Sequence, residues 1–532
     1  MTDKQNIKAV SPHLNTDATS EMHNKADARP ARTVFVMMCI MVVGKVMGLL
    51  RDRMQGLNFG TGTTEAVAFV NASALPRNFL DIMFAAALSS SFIPIFSAYL
   101  QNKGKKEAFD LASVFISVTL VIATAVTVIA VVFAAPIYGL FYGGPYETRL
   151  LGTELLRYMF PLIILSGLAF SFTGILQSLG EFRLPAAMSI VSNGAILFYY
   201  FFLIDRFGVR GLAVAFLIGW ALQAFIQVPW LIRHKFKFRF RLDFKDSGLR
   251  EIGALTLPVL VASWMLPVNY QVSLMAVQGL YGGYYGGPAL QFSFSLFTIV
   301  SGVFILSVAN VIFPKLSRQA AVSDDEGFKA SLGETVRVLF FFLLPLTFGM
   351  MALSQPLIRL VFYAGEFCTR SLEITSTALF FMSFGVMGYG LQVVLSRACF
   401  AMKDGRAPLV STVVGIIVNA VLSFTLLGLG IAGPALAGAV GISFGALVMV
   451  IMLTIKGQLT WPVTLVTDLV KMAVLAVIMF FVVRFVHGWV AYSHAFLQVI
   501  IPAAVGAGVY IGGCALFRMK ELKWVLSNIR PK

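Results

Sequence analysis

Charged residues are scarce in this chain of 532 residues. Asp, Glu, Lys and Arg make up 12% of it and hydrophobic residues 58%, whereas about a quarter of a soluble globular domain is charged. This scarcity excludes a soluble enzyme or binding domain and indicates an integral membrane protein. Residues 1–32 lack the apolar core that a cleavable signal peptide needs, and we expect them to form a disordered, polar tail in the cytoplasm.

Cysteines and the common catalytic motifs are also scarce. The four cysteines are scattered and form no C-x-x-C pair, so neither a disulfide framework nor a zinc site is expected. The chain has no P-loop, no H-E-x-x-H pair and no G-x-S-x-G sequence placed as a nucleophile elbow. We therefore expect a protein that is not an enzyme and that holds no metal and no cofactor.

Long apolar runs fill most of the chain. Because a helix needs about 20 apolar residues to cross a bilayer, the sequence predicts an all-α polytopic membrane protein with about 14 spans. Four prolines lie inside these runs, and we expect kinks at Pro76, Pro161, Pro258 and Pro267. The predicted spans lie near 34–58, 65–98, 108–141, 150–179, 184–204, 210–232, 249–280, 286–313, 334–363, 371–401, 406–429, 433–455, 463–486 and 493–517.

The loops between these spans alternate in charge. Basic loops, such as 103–106 and 233–245, alternate with short loops rich in glycine and tyrosine, such as 142–148. The positive-inside rule then predicts that the basic loops and both termini are cytoplasmic. Topology and contacts with anionic membrane lipids account for the net charge of +16, so nucleic acid is not an expected partner.

An internal sequence repeat divides the chain into two halves. The segment SFTGILQSLGEFRLPAAMSIVSNGAILFYYFF resembles LQVVLSRACFAMKDGRAPLVSTVVGIIVNAVLSF, and a helix rich in small residues follows each copy. Asn193 and Asn419, one in each copy, are expected to form hydrogen bonds between helices. We predict two pseudo-symmetric six-helix lobes and a further helix pair. The predicted divisions are the tail 1–32, an N-terminal lobe 33–233, a basic cytoplasmic linker 234–247, a C-terminal lobe 248–456, and helices 13 and 14 with the C-terminus at 457–532.

The most unusual stretch is 44–94, which is apolar but carries charges inside predicted membrane helices. Lys45, Gly48, Asp52 and Gln55 follow a helical spacing and share one face, and Arg51 lies beside it. A charge at the bilayer centre costs about 2.5–3.5 kcal/mol on insertion scales. Such groups are kept where they face a wet cavity, a counter-charge or a ligand. We interpret the stretch as a cationic cavity for an anionic substrate in a transporter or flippase; for Arg53 the alternative is a side chain that snorkels to the interface.

The same stretch resembles the MurJ (MviN) family of lipid II flippases, in the multidrug/oligosaccharidyl-lipid/polysaccharide (MOP) superfamily. The resemblance rests on KVMGLLRD, FGTG, TEA, LPRN and SSSFIP, and further on GEFRLPAAMSIVSN, GVFILSVANVIFPKLS and CFAMKDGRAPLVSTVVGIIVNAVLS. It implies a V-shaped, two-lobed fold with a central cavity, in which helices 13 and 14 form a groove for a lipid tail. It also implies movement of lipid II, an undecaprenyl-diphosphate-linked peptidoglycan precursor, to the outer leaflet of a bacterial inner membrane by alternating access, without ATP hydrolysis.

Carried over to this sequence, the resemblance also implies a set of substrate-binding residues. Arg51 and Asp52 match an arginine–aspartate pair of the family, while Lys45 stands where the family has arginine and Glu65 where it has aspartate. Arg77 is a further cation in the second span and is expected to contact the head group. Residues expected to support the site are Arg53, Asp81, Ser89, Asn193 and Asn419.

Two departures from the family pattern leave the substrate open. The arginine of the second span aligns with Leu80, and the polar pair of the eighth span aligns with Phe294 and Ser295. No charged residue occurs from 252 to 314, so the cavity cations are expected mainly from the N-terminal lobe. Another polyprenyl-diphosphate-linked saccharide is an alternative substrate. An ion-coupled drug exporter and a non-transporting scaffold of cell-wall synthesis are alternative functions.

The resemblance leaves the driving force open between a coupling ion and the membrane potential. We expect a monomer, and cell-wall synthesis proteins are a further partner class.

Overall fold

A computed structural model of the chain describes residues 39–80, 91–322, 324–402, 404–519 and 522. These residues are mostly helical and contain no strand, which confirms the predicted all-α class. The predicted tail 1–32 and the candidate residues Asp81 and Ser89 lie outside the described residues.

Within the described residues we number 21 α-helices in chain order. A π-helical turn, Leu75–Leu80, extends the second of them. The helices are α1 (39–59), α2 (Thr64–Ala74), α3 (Ile93–Asn102), α4 (Lys105–Val132), α5 (Ala134–Phe141), α6 (Tyr146–Met159), α7 (Leu162–Ser178), α8 (Arg183–Phe202), α9 (Ile204–Phe225), α10 (Val228–Arg233), α11 (Ser247–Ser263), α12 (Met265–Ala276), α13 (Gly286–Ala321), α14 (Asp325–Ala352), α15 (Ser354–Phe362), α16 (Thr369–Ser383), α17 (Gly385–Ala401), α18 (Arg406–Thr425), α19 (Ala432–Ile455), α20 (Val463–Val490) and α21 (Ala495–Leu516).

Ten helices of the described chain are long and apolar enough to cross a membrane, and the pair α16–α17, bent by 46°, gives an eleventh if it is one span. These eleven correspond to all but the first, second and seventh predicted spans. The first carries four charged residues in α1, the second includes residues 81–90, which lie outside the described residues, and the seventh is divided between α11 and α12. The protein is therefore a multi-pass membrane protein, and the total of 14 spans stays a prediction.

Prolines account for two of the helix breaks. Pro161 lies between α6 and α7. The break between α11 and α12 comes four residues before Pro267, which lies in the first turn of α12. Because proline has no N–H, it cannot bond the carbonyl four residues earlier, here that of Ser263. The kinks expected at Pro161 and Pro267 therefore coincide with breaks in the helices. Pro76 lies in the π-helical turn Leu75–Leu80, and Pro258 lies within α11, which continues past it.

The basic loops meet at one end of the bundle, which we call the basic end. There Lys456, which follows α19, binds Asp404 in the loop before α18. Tyr99 Oη lies 3.2 Å from Ser247 Oγ, which joins the end of α3 to the start of α11. The loops rich in glycine and tyrosine lie at the other end, which we call the opposite end.

The hydrophobic cores explain the shape of the bundle. At the opposite end one core joins both predicted lobes, with Phe69 on one side and Tyr270 and Ala435 on the other. Toward the basic end the cores are separate, one built from residues within 92–252 and another from residues within 316–459. The two halves are therefore packed together at the opposite end. At the basic end the second half contacts the first core through Ile252 of α11 and otherwise has its own core, which gives a V shape with a central cavity.

The last two long helices, α20 and α21, pack against α14. Tyr510 Oη donates to the carbonyl of Phe341 at 3.1 Å. Arg337 Nη2 lies 3.7 Å from Asp468 Oδ2, and Lys471 Nζ lies 3.8 Å from Asp468 Oδ1. These contacts place the helix pair on the outside of the second half.

Candidate functional site

An open cavity of about 630 Å³ lies between α1, α7, α8, α9 and α13. Its mouth at the basic end is lined by Met41, Gln177 and Phe182, and its inner wall by Asp52 and Ser295. From Met41 to Asp52 the helix advances about 16 Å, roughly half of a hydrocarbon layer about 30 Å thick. Its volume lies within the range of ligand pockets, about 300–1000 Å³, and its open mouth lets a bound head group extend toward the basic end.

Close packing of α1 on α8 builds one wall of the cavity. Gly44 and Gly48 form a G-x-x-x-G pair on α1, a pattern that lets two membrane helices approach closely. A Cβ added at Gly44 would lie 3.3 Å from Ser189 Cβ, and one added at Gly48 would lie 3.7 Å from Asn193 Nδ2. Glycine at both positions therefore allows Asn193 to reach the charged residues of α1.

A hydrogen-bonded cluster stands at the inner end of the cavity. Arg51 Nε and Nη2 donate to Asp52 Oδ1 at 3.0 and 2.7 Å, and Arg51 Nη1 donates to Asn193 Oδ1 at 3.0 Å. Asp52, only 4% exposed, also accepts a hydrogen bond at Oδ2 from Ser295 Oγ. The carboxylate is thus stabilised by a charge from its own helix and by a hydroxyl from the other half of the protein.

Asn193 is itself held in place. Its Nδ2 donates to the Ser189 carbonyl at 2.8 Å and to Ser189 Oγ at 3.1 Å. With its amide nitrogen bonded in this way, its oxygen is left to accept from Arg51. Arg51 therefore has three of its five N–H donors engaged by protein groups.

Two arginines share one aromatic ring beside this cluster. The guanidinium carbons of Arg51 and Arg77 lie 5.6 and 4.8 Å from the ring centroid of Phe216, within the range of cation–π attraction. Arg77 is carried by the π-helical turn that follows α2, and both arginines line the cavity.

Lys45 completes the charged lining, exposed on α1 nearer the mouth. The charged residues along the described lining are three cations and one anion, which leaves two positive charges. The second half contributes only uncharged residues to the lining, Ser295, Thr298 and Ile299. Such a surface favours an anion, and arginine beside a wet cavity is suited to phosphate oxygens.

Three predicted site residues lie elsewhere. Arg53 Nη1 donates to the carbonyls of Leu360 and Val361 at 3.1 and 2.6 Å and so joins α1 to the end of α15. Asn419 is fully buried, and its Nδ2 donates to the Asn269 carbonyl at 2.9 Å. Both residues connect helices, and neither lines the cavity.

Glu65, the third, is exposed in a separate pocket of about 640 Å³ at the opposite end. Glu147, Glu366 and Arg210 also line that pocket. The structure therefore brings together Lys45, Arg51, Asp52, Arg77 and Asn193 and leaves Glu65 apart from them.

Sequence reasoning missed part of the lining. Phe216, Trp220 and Gln223 of α9 line the cavity, and Gln223 Nε2 donates to Ser192 Oγ. Residues 216, 220 and 223 share one helical face, and this spacing of two aromatic residues and an amide was the available signal. The family pattern identifies Ser295 only as an uncharged residue at the position of a polar pair, although it contacts Asp52 directly.

At the opposite end the two halves meet in a polar seam, which consists of residues 57–62 together with Tyr285, Glu366 and Ser371. Thr61 Oγ1 donates to Ser371 Oγ at 2.7 Å. The amide of Tyr285 donates to the Thr61 carbonyl, and that of Glu366 donates to the Leu57 carbonyl, each at 3.0 Å. Two of these three contacts are made by the main chain.

Glycine makes this close approach possible. Gly60 and Gly365 have φ of +59° and +58°, in the left-handed region that other residues rarely adopt. A Cβ at Gly365 would lie 2.4 Å from the Leu57 carbonyl oxygen, and one at Gly60 would lie 2.4 Å from that of Glu366. The cavity is therefore open at one end of the bundle and closed at the other.

Comparison with known proteins gives consistent matches. Residues 57–500 match the family model described as "Lipid II flippase MurJ". The "Probable lipid II flippase MurJ" of Treponema pallidum (strain Nichols) is 26% identical over 515 residues, covering 92% of this chain and 95% of that protein. The "Lipid II flippase MurJ" of Thermosipho africanus (strain TCF52B) is 27% identical over 441 residues, covering 82% and 87%.

Solved structures agree in fold. One described as "Lipid II flippase MurJ, inward closed conformation" aligns with a TM-score of 0.77 and 25% identity, covering 91% of this chain and 98% of that one. A multidrug resistance MATE family transporter of the MOP superfamily, in an inward-facing conformation, aligns with a TM-score of 0.68 and 16% identity, covering 79% and 97%. The second match shows a shared fold.

Proposed function

The chain belongs to the MurJ family of lipid II flippases, and we propose that it moves lipid II from the cytoplasmic to the outer leaflet of a bacterial inner membrane. The observation that carries this proposal is the cluster of Arg51, Asp52 and Asn193 at the inner end of a large cavity. A lipid-linked diphosphate is an anion whose charge such a cluster can neutralise. This role belongs to peptidoglycan synthesis, since lipid II is its membrane-bound precursor.

Binding begins at the mouth of the cavity. Lys45, exposed there, attracts the diphosphate, and Arg51 receives it deeper inside. Asp52 and Asn193 hold the guanidinium of Arg51 in a fixed orientation, and the two N–H donors that they do not engage are available to phosphate oxygens. Because Asp52 offsets part of the positive charge, the bound anion can also be released.

Transport follows from the difference between the two ends of the bundle. In the present conformation the cavity faces the basic end, and the polar seam closes the opposite end. The positive-inside rule makes the basic end cytoplasmic, with both termini on that side. Parting of the seam and approach of the two halves at the basic end would expose the head group to the outer leaflet, an alternating-access cycle without ATP or bond-breaking chemistry.

The lipid tail stays in the bilayer during this cycle. The exposed apolar surfaces of α20 and α21, among them Val470, Val474 and Phe481 on α20 and Ile500 on α21, face the lipid region. They support the proposal that this helix pair forms a groove for the polyprenyl chain.

The proposal is tested in cells depleted of their own flippase that express this chain. The readout is exposure of lipid II head groups at the outer leaflet, measured together with growth. Wild type should restore both, and Lys45→Ala should reduce the rate of exposure while the protein stays in the membrane. Arg206→Gln is the matched control, because it removes an exposed arginine near the opposite end that does not line the cavity.

A wild type that exposes no lipid II would overturn the proposal. The same cells are then assayed for other polyprenyl-diphosphate-linked saccharides, since the second half gives the cavity no cation. Exposure by Lys45→Ala equal to that of wild type would remove Lys45 from the binding step.

A further inference from the structure

A third pocket, polar and of about 230 Å³, lies near the opposite end between α15, α16 and α20. Arg484 and His487, three residues apart on one face of α20, line it on one side. Ser354 and Gln355, at the start of α15, line it on another. No carboxylate lines this pocket, which we call the Arg484 pocket.

The cations of the Arg484 pocket lack acidic partners within the described residues. Neither Arg484 nor the nearby Arg359 forms an ion pair there, and both act electrostatically on His487. His487 Nε2 is buried and has no hydrogen-bond partner among those residues. Buried polar groups are normally bonded, so an unpartnered ring nitrogen next to an unpaired arginine points to a missing anionic ligand.

The surroundings of the pocket identify that ligand as a lipid. A stripe of exposed apolar side chains runs along α20 from Val470 to Trp489, which is about 28 Å of helix. This length is close to the hydrocarbon thickness of a bilayer, about 30 Å. Trp489 is 76% exposed at the end of the stripe, where an aromatic residue marks the membrane interface.

From these observations we propose that the Arg484 pocket binds the phosphate of an anionic phospholipid whose acyl chains lie along α20. Arg484 pairs with the phosphate oxygens, His487 Nε2 meets one of them, and the Gln355 side chain lies beside the head group. A phosphodiester supplies the negative charge that the pocket lacks. The proposal does not depend on the identity of the transported lipid, and it makes the apolar surface of α20 that includes Val470, Val474 and Phe481 common to both lipids.

The test uses the full-length protein in nanodiscs that contain phosphatidylcholine with a small fraction of phosphatidylglycerol. Native mass spectrometry counts the phosphatidylglycerol molecules retained on each protein. Arg484→Gln and, separately, His487→Gln should weaken retention, Arg484→Gln by about tenfold or more. Arg206→Gln is the matched control, since Arg206 is an exposed arginine away from this pocket. Thermal stability in phosphatidylcholine alone verifies that each variant is folded.

Inorganic phosphate at millimolar concentration distinguishes the source of the anion. Retention of phosphatidylglycerol that phosphate does not displace supports a lipid site. Equal retention by wild type and a folded Arg484→Gln variant would overturn the proposal. Displacement by phosphate alone would also overturn it, because the pocket would then be a site for a free anion.

Discussion

Replacement of Arg51 by alanine is the sharpest test of the cavity. Arg51 donates two hydrogen bonds to Asp52 and one to Asn193, and its side chain is 17% exposed. A hydrogen bond to a charged group is worth about 1.5–3 kcal/mol. Loss of one such contact to a diphosphate therefore lowers kcat/KM for lipid II by roughly ten- to a hundred-fold. The assay is the initial rate of flipping in proteoliposomes as a function of lipid II concentration.

The same substitution has a second effect that must be separated from the first. It removes the cation beside Asp52, a carboxylate that is only 4% exposed, and an unpaired buried charge destabilises the fold. The double variant Arg51→Ala/Asp52→Asn removes that charge too, and Ser295 can still donate to the amide oxygen. We expect the double variant to regain wild-type thermal stability and to remain defective in flipping.

Arg51→Lys is the conservative comparison. Lysine keeps the charge but lacks the planar fork that contacts Asp52 and Asn193 together, so an intermediate rate is expected. Flipping by Arg51→Ala within twofold of wild type would refute the assignment of Arg51 as a substrate contact. Recovery of flipping in the double variant would refute it as well, because the defect would then come from the unpaired carboxylate.

Three further predictions concern the seam and a loop. Gly365→Ala should open the opposite end, because its φ of +58° and the nearby Leu57 carbonyl leave no room for a Cβ. The strain expected in the closed state is about 1–3 kcal/mol. Opening is measured as faster thiol labelling of cysteines introduced along the seam. Thr61→Cys with Ser371→Cys, whose native oxygens are 2.7 Å apart, should form a disulfide that stops flipping until it is reduced. Asp404→Asn should lower the free energy of unfolding by about 0.5–1 kcal/mol at pH 7.

Each of these predictions has its own control. Because Cys368 Sγ lies 3.3 Å from Ser371 Oγ, the crosslink is made with Cys368 replaced by serine; flipping by the oxidised protein at the unmodified rate would show that the seam need not part. For Gly365→Ala, unchanged labelling would show that the seam accommodates a methyl group.

The control for Asp404→Asn is pH. Burial opposes ionisation of Asp404, but the side-chain hydrogen bond from Lys456 and the backbone amide of Arg406 lower its pKa overall. Its stabilising effect is therefore present above the unfolded pKa of an aspartate, about 3.9, and is lost as the pH falls through the lower folded value. The difference between variant and wild type should vanish in strong acid. A difference that persisted there would show that the charge is not the cause.

The face of α1 could be predicted from the sequence, because helical spacing is a local property. Lys45, Gly48 and Asp52 line the cavity as this spacing requires, and Gln55 is buried on the same face. Glu65 was assigned from the family pattern alone. It follows the end of α1 and the turn at residues 60–63, about 20 Å of helix beyond Lys45, and this distance explains why the two residues lie in different pockets.

The partners of these residues could not be predicted from one sequence. Asn193 is 142 residues from Arg51, and Ser295 is 243 residues from Asp52. No pattern of one chain determines which helices of a bundle become neighbours. The number of spans is also hard to count for a physical reason, since the four charged residues of α1 reduce its resemblance to a membrane helix.

The polar seam has a consequence for genetics. Two of its contacts are hydrogen bonds between main-chain groups, with Thr61 and Leu57 supplying only their carbonyls. An alanine scan leaves such bonds intact, so a screen for loss of function would pass over most of this closure. Such a screen can detect the side-chain contact of Thr61 with Ser371 and positions where the backbone conformation itself is demanding, such as Gly60 and Gly365. Substitution of the other side chains along these main-chain contacts leaves the opposite end closed.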